Sequence, residues 1–568
     1  MSIHPLRSAA HAAVVSLLAV VVSPSIAQAG DPVQALQESQ IRPGALPAWE
    51  TAAERAASIP RSAPHPWNLP IVPGPPPTGY TVPAEFEKMS AFMVTEGDWD
   101  NSEVGMMLAM LKGGTVAQGA GAIVLTSQSE ANYEAYLSGE GLDMSRIHVV
   151  RPPDGLNAKW ARDFGPISLY EAGKPGNLAF GDLHYYDTRA KDDAVTAFLA
   201  GQAGINRYGL EGADHNPPDD VKLYMEGGNF QTDGKGTCIL SNDIPSDNAK
   251  KGNTQADTIA KVEPILATYL GCKKVIWLTP VPHNSTGHVD MYSKLLTPTD
   301  MLVIETPHVT NQDLEVDALI QQNLDTLQAS TNGNGDPFVV HRVVIPSLGN
   351  GWVYKTYTNS VIVNKVVLVP TYGNSRDQAA LDVYKSVLGS SYTVTGIDSS
   401  QIVAQGGAVH CTTMQIASAC GDGKLQKVLF EECDGQNLDG KTCASIGMTS
   451  GDLKCDPDTC RLDTSGCAGG QDAGPDAQPE ASTDGAVDAT PDATPDALPV
   501  ESGGQDAGAD QAIGQDAAAE AGEPVVPQPE ASDDGSCGCR MRPEKDRSGW
   551  WLLAAGVGAA LLARRRRS

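Results

Sequence analysis

Positive charge is what this sequence is shortest of. It carries 40 Lys and Arg against 69 Asp and Glu, a formal charge of −29 at pH 7. That balance argues against nucleic-acid binding through a basic patch. The deficit is uneven, because residues 468–536 hold sixteen acidic residues and no Lys or Arg. This stretch of Ala, Asp, Pro, Gly and Gln also lacks aromatic residues, so it cannot bury enough apolar surface to offset chain entropy. A disordered acidic stalk is expected there. Apolar runs of bilayer length are missing too. Ala12–Val22 is short, follows His4 and Arg7, and is followed by Ala27-Gln28-Ala29, a small-residue cleavage site; residues 1–29 read as an export signal. Trp550–Ala563 falls short of the about 20 residues a full span needs. The four arginines Arg564–Arg567 after it would stay cytoplasmic, leaving the preceding chain outside.

Residues 420–467 contain neither a His nor a CxxC pair, which disfavours zinc. They contain Cys420, Cys433, Cys443, Cys455, Cys460 and Cys467 with few large apolar side chains, the composition of a small disulfide-stapled module. Fifteen pairings are open. Two of the eleven cysteines, Cys537 and Cys539, lie near the C-terminus, leaving Cys238, Cys272 and Cys411 in the large domain. An odd remainder in an exported chain flags a free thiol. Cys238 and Cys272 either pair or sit as ordinary buried residues.

Upstream, residues 30–84 are rich in Pro and Ala and read as an extended leader rather than a core element. From 85 to 417 the pattern is α/β. Short β-branched runs such as GAIVLTS, RIHVVRP, KVIWLTP, DMLVIET and SVIVNKVVLVP alternate with amphipathic stretches at Val104–Leu111, Thr254–Leu270 and Asn311–Leu327. No internal repeat is readable. Four segments stand out for chemistry: WARDFGP with Trp160 and Asp163, MEGGNF with Glu226, TGHVD with His288 and Asp290, and QGGAVHC with Cys411. A His-x-Asp on a strand points both side chains to one face. Together these segments offer a thiol nucleophile, an imidazole and several carboxylates. Carboxylates match the paired donors of a planar guanidinium cation, so the set suits displacement at a guanidinium carbon.

In order and spacing, WARDFGP, EGGNF with DGKGT, GHVD, YTNSVIVNKVVLVP and GGAVHC resemble the bacterial peptidylarginine deiminase and agmatine deiminase family, within the guanidino-modifying (pentein) superfamily. The resemblance covers roughly residues 85–417. It implies an α/β propeller-like fold of five ββαβ units around a central site, with no metal or cofactor. It casts Cys411 as nucleophile, His288 as acid and base, Asp163 and Asp290 as the guanidinium clamp, and Glu226 as the partner of His288. Trp160 becomes a pocket wall and Asn359 of YTNS a polar pocket residue. GDLHYYDTRAKDD, residues 181–193, resembles the stretch in which two arginines bind a substrate carboxylate; here Arg189 matches one and Asp187 replaces the other. The expected function is conversion of peptidyl, C-terminal arginine to citrulline and ammonia, with agmatine as the alternative substrate. An inactive surface module binding arginine-rich partners is the rival class. The six-Cys run resembles the Cys-rich repeats of myxobacterial surface proteins, and 537–568 resembles their C-terminal sorting tail. Export to the cell surface or medium is therefore expected, with membrane contact only through that last segment.

Overall fold

The structure, a computed structural model, describes residues 32–57, 72, 74–171, 174, 176–210, 212 and 221–470. The export signal, the sorting tail and all of the acidic stalk after residue 470 lie outside the described residues. Among the described residues no helix is long and apolar enough to cross a membrane.

One strand–strand–helix–strand pattern recurs five times. Strands β1 (Met89–Thr95), β2 (Gly121–Leu125) and β3 (Ile147–Val150) form the first sheet, joined by helices Val104–Gly114 and Glu130–Gly139. Next come β4 (Ile167–Tyr170), β5 (Leu178–Asp182) and β6 (Asn206–Gly209), then β7 (Gln231–Thr232), β8 (Thr237–Ser241) and β9 (Lys274–Leu278). Two further sheets hold β10 (Ser293–Leu295), β11 (Asp300–Glu305) and β12 (Val339–Val344), and β13 (Val361–Val363), β14 (Val366–Thr371) and β15 (Thr393–Asp398). In each of these four the first two strands are antiparallel and the last two parallel. A parallel pair needs a crossover, and a helix supplies it each time. Strand β16 (Met414–Ala417) closes the ring by pairing antiparallel with β1, so residues near the end of the domain complete its first sheet. The repeat was invisible in the sequence because the units share a backbone pattern rather than residues.

The amphipathic stretches form helices at Val104–Gly114, Ile259–Tyr269 and Asn311–Gln328. The second starts five residues later than its pattern, because Thr258 provides the extended N-cap. The KVVLVP run folds as a two-residue hairpin at Asn364-Lys365. Asn364 takes φ 55°, a left-handed value Asn tolerates, and its side chain donates to the carbonyls of Met89 and Gly119.

Two expectations need correction. The 30–84 stretch is not simply an extended arm: it forms helices Pro32–Ser39 and Ala52–Ala56, and buries Ala48 and Trp49 against the α/β domain. His288 and Asp290 are not on a strand; Val289–Met291 is a single 3-10 turn.

Past β16, the six cysteines pair as Cys420–Cys460, Cys433–Cys455 and Cys443–Cys467. Phe430 anchors the module on the first sheet: a Cβ on Gly121 would meet its ring at 2.3 Å, and the ring packs 4.2 Å from His148. Only a glycine on β2 lets the ring in so close. Cys238 pairs with Cys272, tying β8 to the approach of β9.

Candidate active site

The five connections between successive units carry the chemical motifs. Trp160–Phe164 lies between β3 and β4, Glu226–Asn229 between β6 and β7, and His288–Met291 between β9 and β10. Asn359 lies between β12 and β13, and Gly406–Cys411 between β15 and β16. Turns rather than strand interiors therefore present the side chains, as in other ring-like folds whose function resides on loops.

Cys411 is the one free cysteine among the described residues and is fully buried. Asn359 fixes the loop that carries it. Its side-chain oxygen accepts from the N–H groups of Ala408 (2.9 Å), His410 (3.1 Å) and Cys411 (3.3 Å), and its amide nitrogen donates to Cys411 Sγ at 3.1 Å. The Sγ also faces Asp290 Oδ2 at 3.5 Å. Burial, then Asp290 and Asp163, push the Cys411 thiol well above its ordinary range. A cation held between those carboxylates reverses that push, because it stabilises the thiolate.

His288 sits between two carboxylates, with Nδ1 3.6 Å from Asp163 Oδ1 and Nε2 3.7 Å from Glu226 Oε2. Burial opposes its protonation, yet Asp163 and Glu226 outweigh burial and push its pKa up to about 9. Burial also pushes Asp163 up to about 7, although His288 pulls the other way. Burial raises Asp290 too, but the hydrogen bond from His410 and the charges around it win, and its carboxyl stays below the usual range.

Glycines keep the centre open. A Cβ on Gly228 would lie 2.5 Å from His288 Nδ1, 3.0 Å from Asp163 Oδ1 and 3.2 Å from Asp290 Oδ2. A Cβ on Gly407 would lie 2.6 Å from Cys411 Sγ and 3.0 Å from the Trp160 ring. Trp160 is thus a wall of this space, and its indole N–H donates to the Leu46 carbonyl at 2.7 Å. Four buried polar atoms here have no hydrogen-bond partner among the described residues: Asp163 Oδ2, Asp290 Oδ1 and both ring nitrogens of His288. Unpartnered buried carboxylate oxygens are costly unless a ligand uses them.

His410, Glu85 and Arg162 were missed as site residues. His410 Nδ1 lies 2.7 Å from Asp290 Oδ2 and its Nε2 3.0 Å from Glu85 Oε2, while Lys294 contacts Glu85 at 2.5 Å. Held on both sides, His410 fixes one oxygen of Asp290 and leaves the other to the pocket. Arg162 is buried beside them, bonding Gln415 and the His410 carbonyl. The signal for His410 was present, since it immediately precedes Cys411. Glu85 gave none, because it lies more than three hundred residues away in sequence.

Arg189 is placed differently from expectation. All its guanidinium nitrogens are engaged within the chain: Nε and Nη2 with the Glu54 carboxylate (2.8 and 3.0 Å), Nη1 with the Pro47 carbonyl and the Tyr185 hydroxyl, and Nη2 also with the Trp49 carbonyl. Asp187 points elsewhere, to His184 and the Tyr224 hydroxyl. Among the described residues the one group spaced for a metal ion is Glu431, Asp434 and Cys460, far along the chain in the Cys-rich module, and the Cys460 sulfur is already in a disulfide.

A buried thiol, an imidazole between carboxylates and two carboxylate oxygens turned into one small space, on a ring of five ββαβ units, are the groups that hydrolysis of a delocalised cation calls for. Residues 82–417 match the Porphyromonas-type peptidyl-arginine deiminase family. The chain belongs to that family of deiminases, hydrolases of guanidino C–N bonds. A Selenomonas ruminantium protein named as an agmatine deiminase is 24% identical over 383 residues, covering 60% of this chain and 96% of its own. The solved structure of the agmatine deiminase of Enterococcus faecalis superposes with a TM-score of 0.50 at 21% identity, covering 60% of this chain and 96% of that one. A Porphyromonas gingivalis protein named as an arginine deiminase gives 0.50 at 21% identity, covering 60% and 99%. These structures share the five-unit fold.

Proposed function

We propose that the site removes ammonia from the guanidinium of an arginine at the carboxyl end of a peptide, leaving citrulline. The observation that carries the guanidinium reading is the pair of unpartnered oxygens, Asp163 Oδ2 and Asp290 Oδ1, beside a buried free thiol. A guanidinium satisfies both with its own N–H donors. Once bound, its charge lowers the thiol pKa, the thiol gives up its proton to solvent, and the Cys411 thiolate attacks the guanidinium carbon. His288, protonated near neutral pH, gives its proton to the departing nitrogen, and the C–N bond breaks to release ammonia. Sγ then carries a thiouronium. Neutral His288 takes a proton from water, the hydroxide adds to the same carbon, and the C–S bond breaks to return the thiol and the ureido product. Glu226 and Asp163 keep His288 charged for the first half. Asn359 holds Sγ in line throughout.

For the peptidyl substrate, support comes from the family match and from Arg189, which binds a carboxylate side-on in the chain itself. A second reading, agmatine, is favoured by the names of the relatives and by the lack of a free cation at Arg189 in the resting chain. We place the enzyme outside the cytoplasm, at the cell surface or in the medium, on the strength of the N-terminal signal pattern and of eight cysteines paired in four disulfides. Ammonia and ureido product measured with an arginine-ended peptide, free arginine and agmatine test this. Cys411→Ala should lower turnover at least about 10⁴-fold on whichever substrate is used. Equal turnover by the variant would overturn the reading, and turnover of agmatine alone would select the second one.

A further inference from the structure

The reacting groups are sealed: Cys411, Asp290 and Trp160 are 0% exposed, and His288 and Asp163 1%. A substrate arriving from solvent reaches them only if part of the cover moves. Against the walls of this space packs the segment 45–54, which lies upstream of the residues matching the family. The Leu46 carbonyl accepts from the Trp160 indole, and the Ala48 N–H donates to the Gln405 carbonyl at 2.8 Å. A Cβ on Gly406, one residue before the glycine that faces Cys411, would touch the Trp49 ring at 2.6 Å. Lys251 holds Glu50 at 2.7 Å. The segment ends at Glu54, whose carboxylate forms a two-point pair with Arg189. The Arg189 guanidinium lies 5.1 Å over the Tyr186 ring, and the Tyr186 hydroxyl interacts with Glu226, the partner of His288. The Glu54–Arg189 pair therefore stands one side chain away from the partner of the catalytic acid.

We propose that Glu54 is a specificity-determining residue: its carboxylate occupies Arg189 as an internal anion, and a substrate carboxylate reaches that arginine only by displacing the 45–54 segment. The inference rests on the reading of Arg189 as a carboxylate receptor given above. Two-point arginine–carboxylate pairing is specific in geometry, so an internal carboxylate is a direct competitor for an external one. A guanidine without a carboxylate does not compete with Glu54 for Arg189, so its entry does not require that pair to break. Glu54 also closes a capping box, accepting from the Thr51 N–H at 2.8 Å while Thr51 Oγ1 accepts from the Glu54 N–H. Gln serves at that helix position as Glu does, so Glu54→Gln removes the anion and keeps the cap.

The test reads binding without turnover, in a full-length Cys411→Ala background. Titrations use an arginine-ended peptide as its free acid and as its carboxamide. Glu54→Gln should tighten the acid about tenfold and leave the carboxamide within about twofold, since only one of them carries the competing charge. Adding Arg189→Gln should abolish the gain, which a mere loosening of the segment would not do. Acid and carboxamide shifting together, or neither shifting, would overturn the proposal. Ammonia release by the chain with native Cys411 is scored separately, so loss of the deiminase reading is distinguishable from loss of this one.

Discussion

The catalytic domain and the Cys-rich module that follows it solve the problem of cohesion in opposite ways. The domain packs buried Val, Ile, Leu and Met from five sheets into one continuous core and uses a single disulfide, Cys238–Cys272. The module buries little beyond Leu429, Phe430 and Leu453 and uses all six of its cysteines as staples. A chain too short to bury a core needs such crosslinks. Where apolar packing suffices, a cysteine can be left out of the crosslinks, and among the described residues Cys411 is the free one.

Breaking the comparison at the catalytic end should give the largest effect. Gly228→Ala places a methyl group among His288, Asp163 and Asp290, where the guanidinium is to lie. It should lower kcat/KM about 100-fold or more, since displacements of about 1 Å near the chemistry have that consequence. The melting temperature should fall by a smaller proportion, because the methyl would lie 2.5 Å from His288 Nδ1 and the buried ring has to shift to admit it. Loss of folding without prior loss of activity would show that Gly228 serves packing instead.

The pH profile sharpens the same contrast at smaller amplitude. Asp163 must be ionised to hold a cation, and its pKa is pushed up to about 7; protons therefore compete with substrate below that value. His288 must be protonated to release ammonia, and its pKa is pushed up to about 9, so activity falls above it. kcat/KM should form a plateau between about 7 and 9, falling about tenfold per pH unit on the acid side. The two limbs belong to the coupled pair. Glu226→Gln should move the alkaline limb down, because it removes one of the charges that keep His288 protonated. An alkaline limb unmoved by that substitution would remove Glu226 from the account.

The smallest catalytic effect is expected from the module. Replacing Cys433 and Cys455 by Ser opens a crosslink between residues 22 apart and should cost the module about 3 kcal/mol. kcat/KM should stay within about twofold, with proteolysis confined to the region after residue 420. A parallel collapse of activity would mean that the Phe430 contact with the first sheet supports the site as well as the module.

Much of the site was legible because its motifs are compact. WARDFGP, EGGNF, GHVD and GGAVHC each carry their chemistry within a few residues, and the structure brings Asp163, Glu226, His288, Asp290 and Cys411 to one space. Asn359 was legible as a pocket residue, but not as the clamp on the loop that carries Cys411. That role depends on the approaches to β13 and β16 being near neighbours in space, which 52 residues of separation conceal. Glu85 and the 45–54 segment were illegible for the same reason: their partners, His410 and Arg189, lie far along the chain. A Pro- and Ala-rich composition correctly signals little intrinsic structure. It does not exclude a segment that becomes ordered by packing against something else, as Trp49 does against Gly406. His288 and Asp290 reach one space through a 3-10 turn, so the expected convergence held while its strand rationale did not.

The most direct test of the account is to trap the intermediate. Wild-type enzyme in excess over substrate is quenched in acid within the first turnover and digested, and the peptide containing Cys411 is weighed. The account predicts an adduct on Cys411 with the mass of the substrate less ammonia, appearing and decaying as product forms. Ammonia release with no adduct at Cys411 at any time, or with the adduct on another residue, would contradict it.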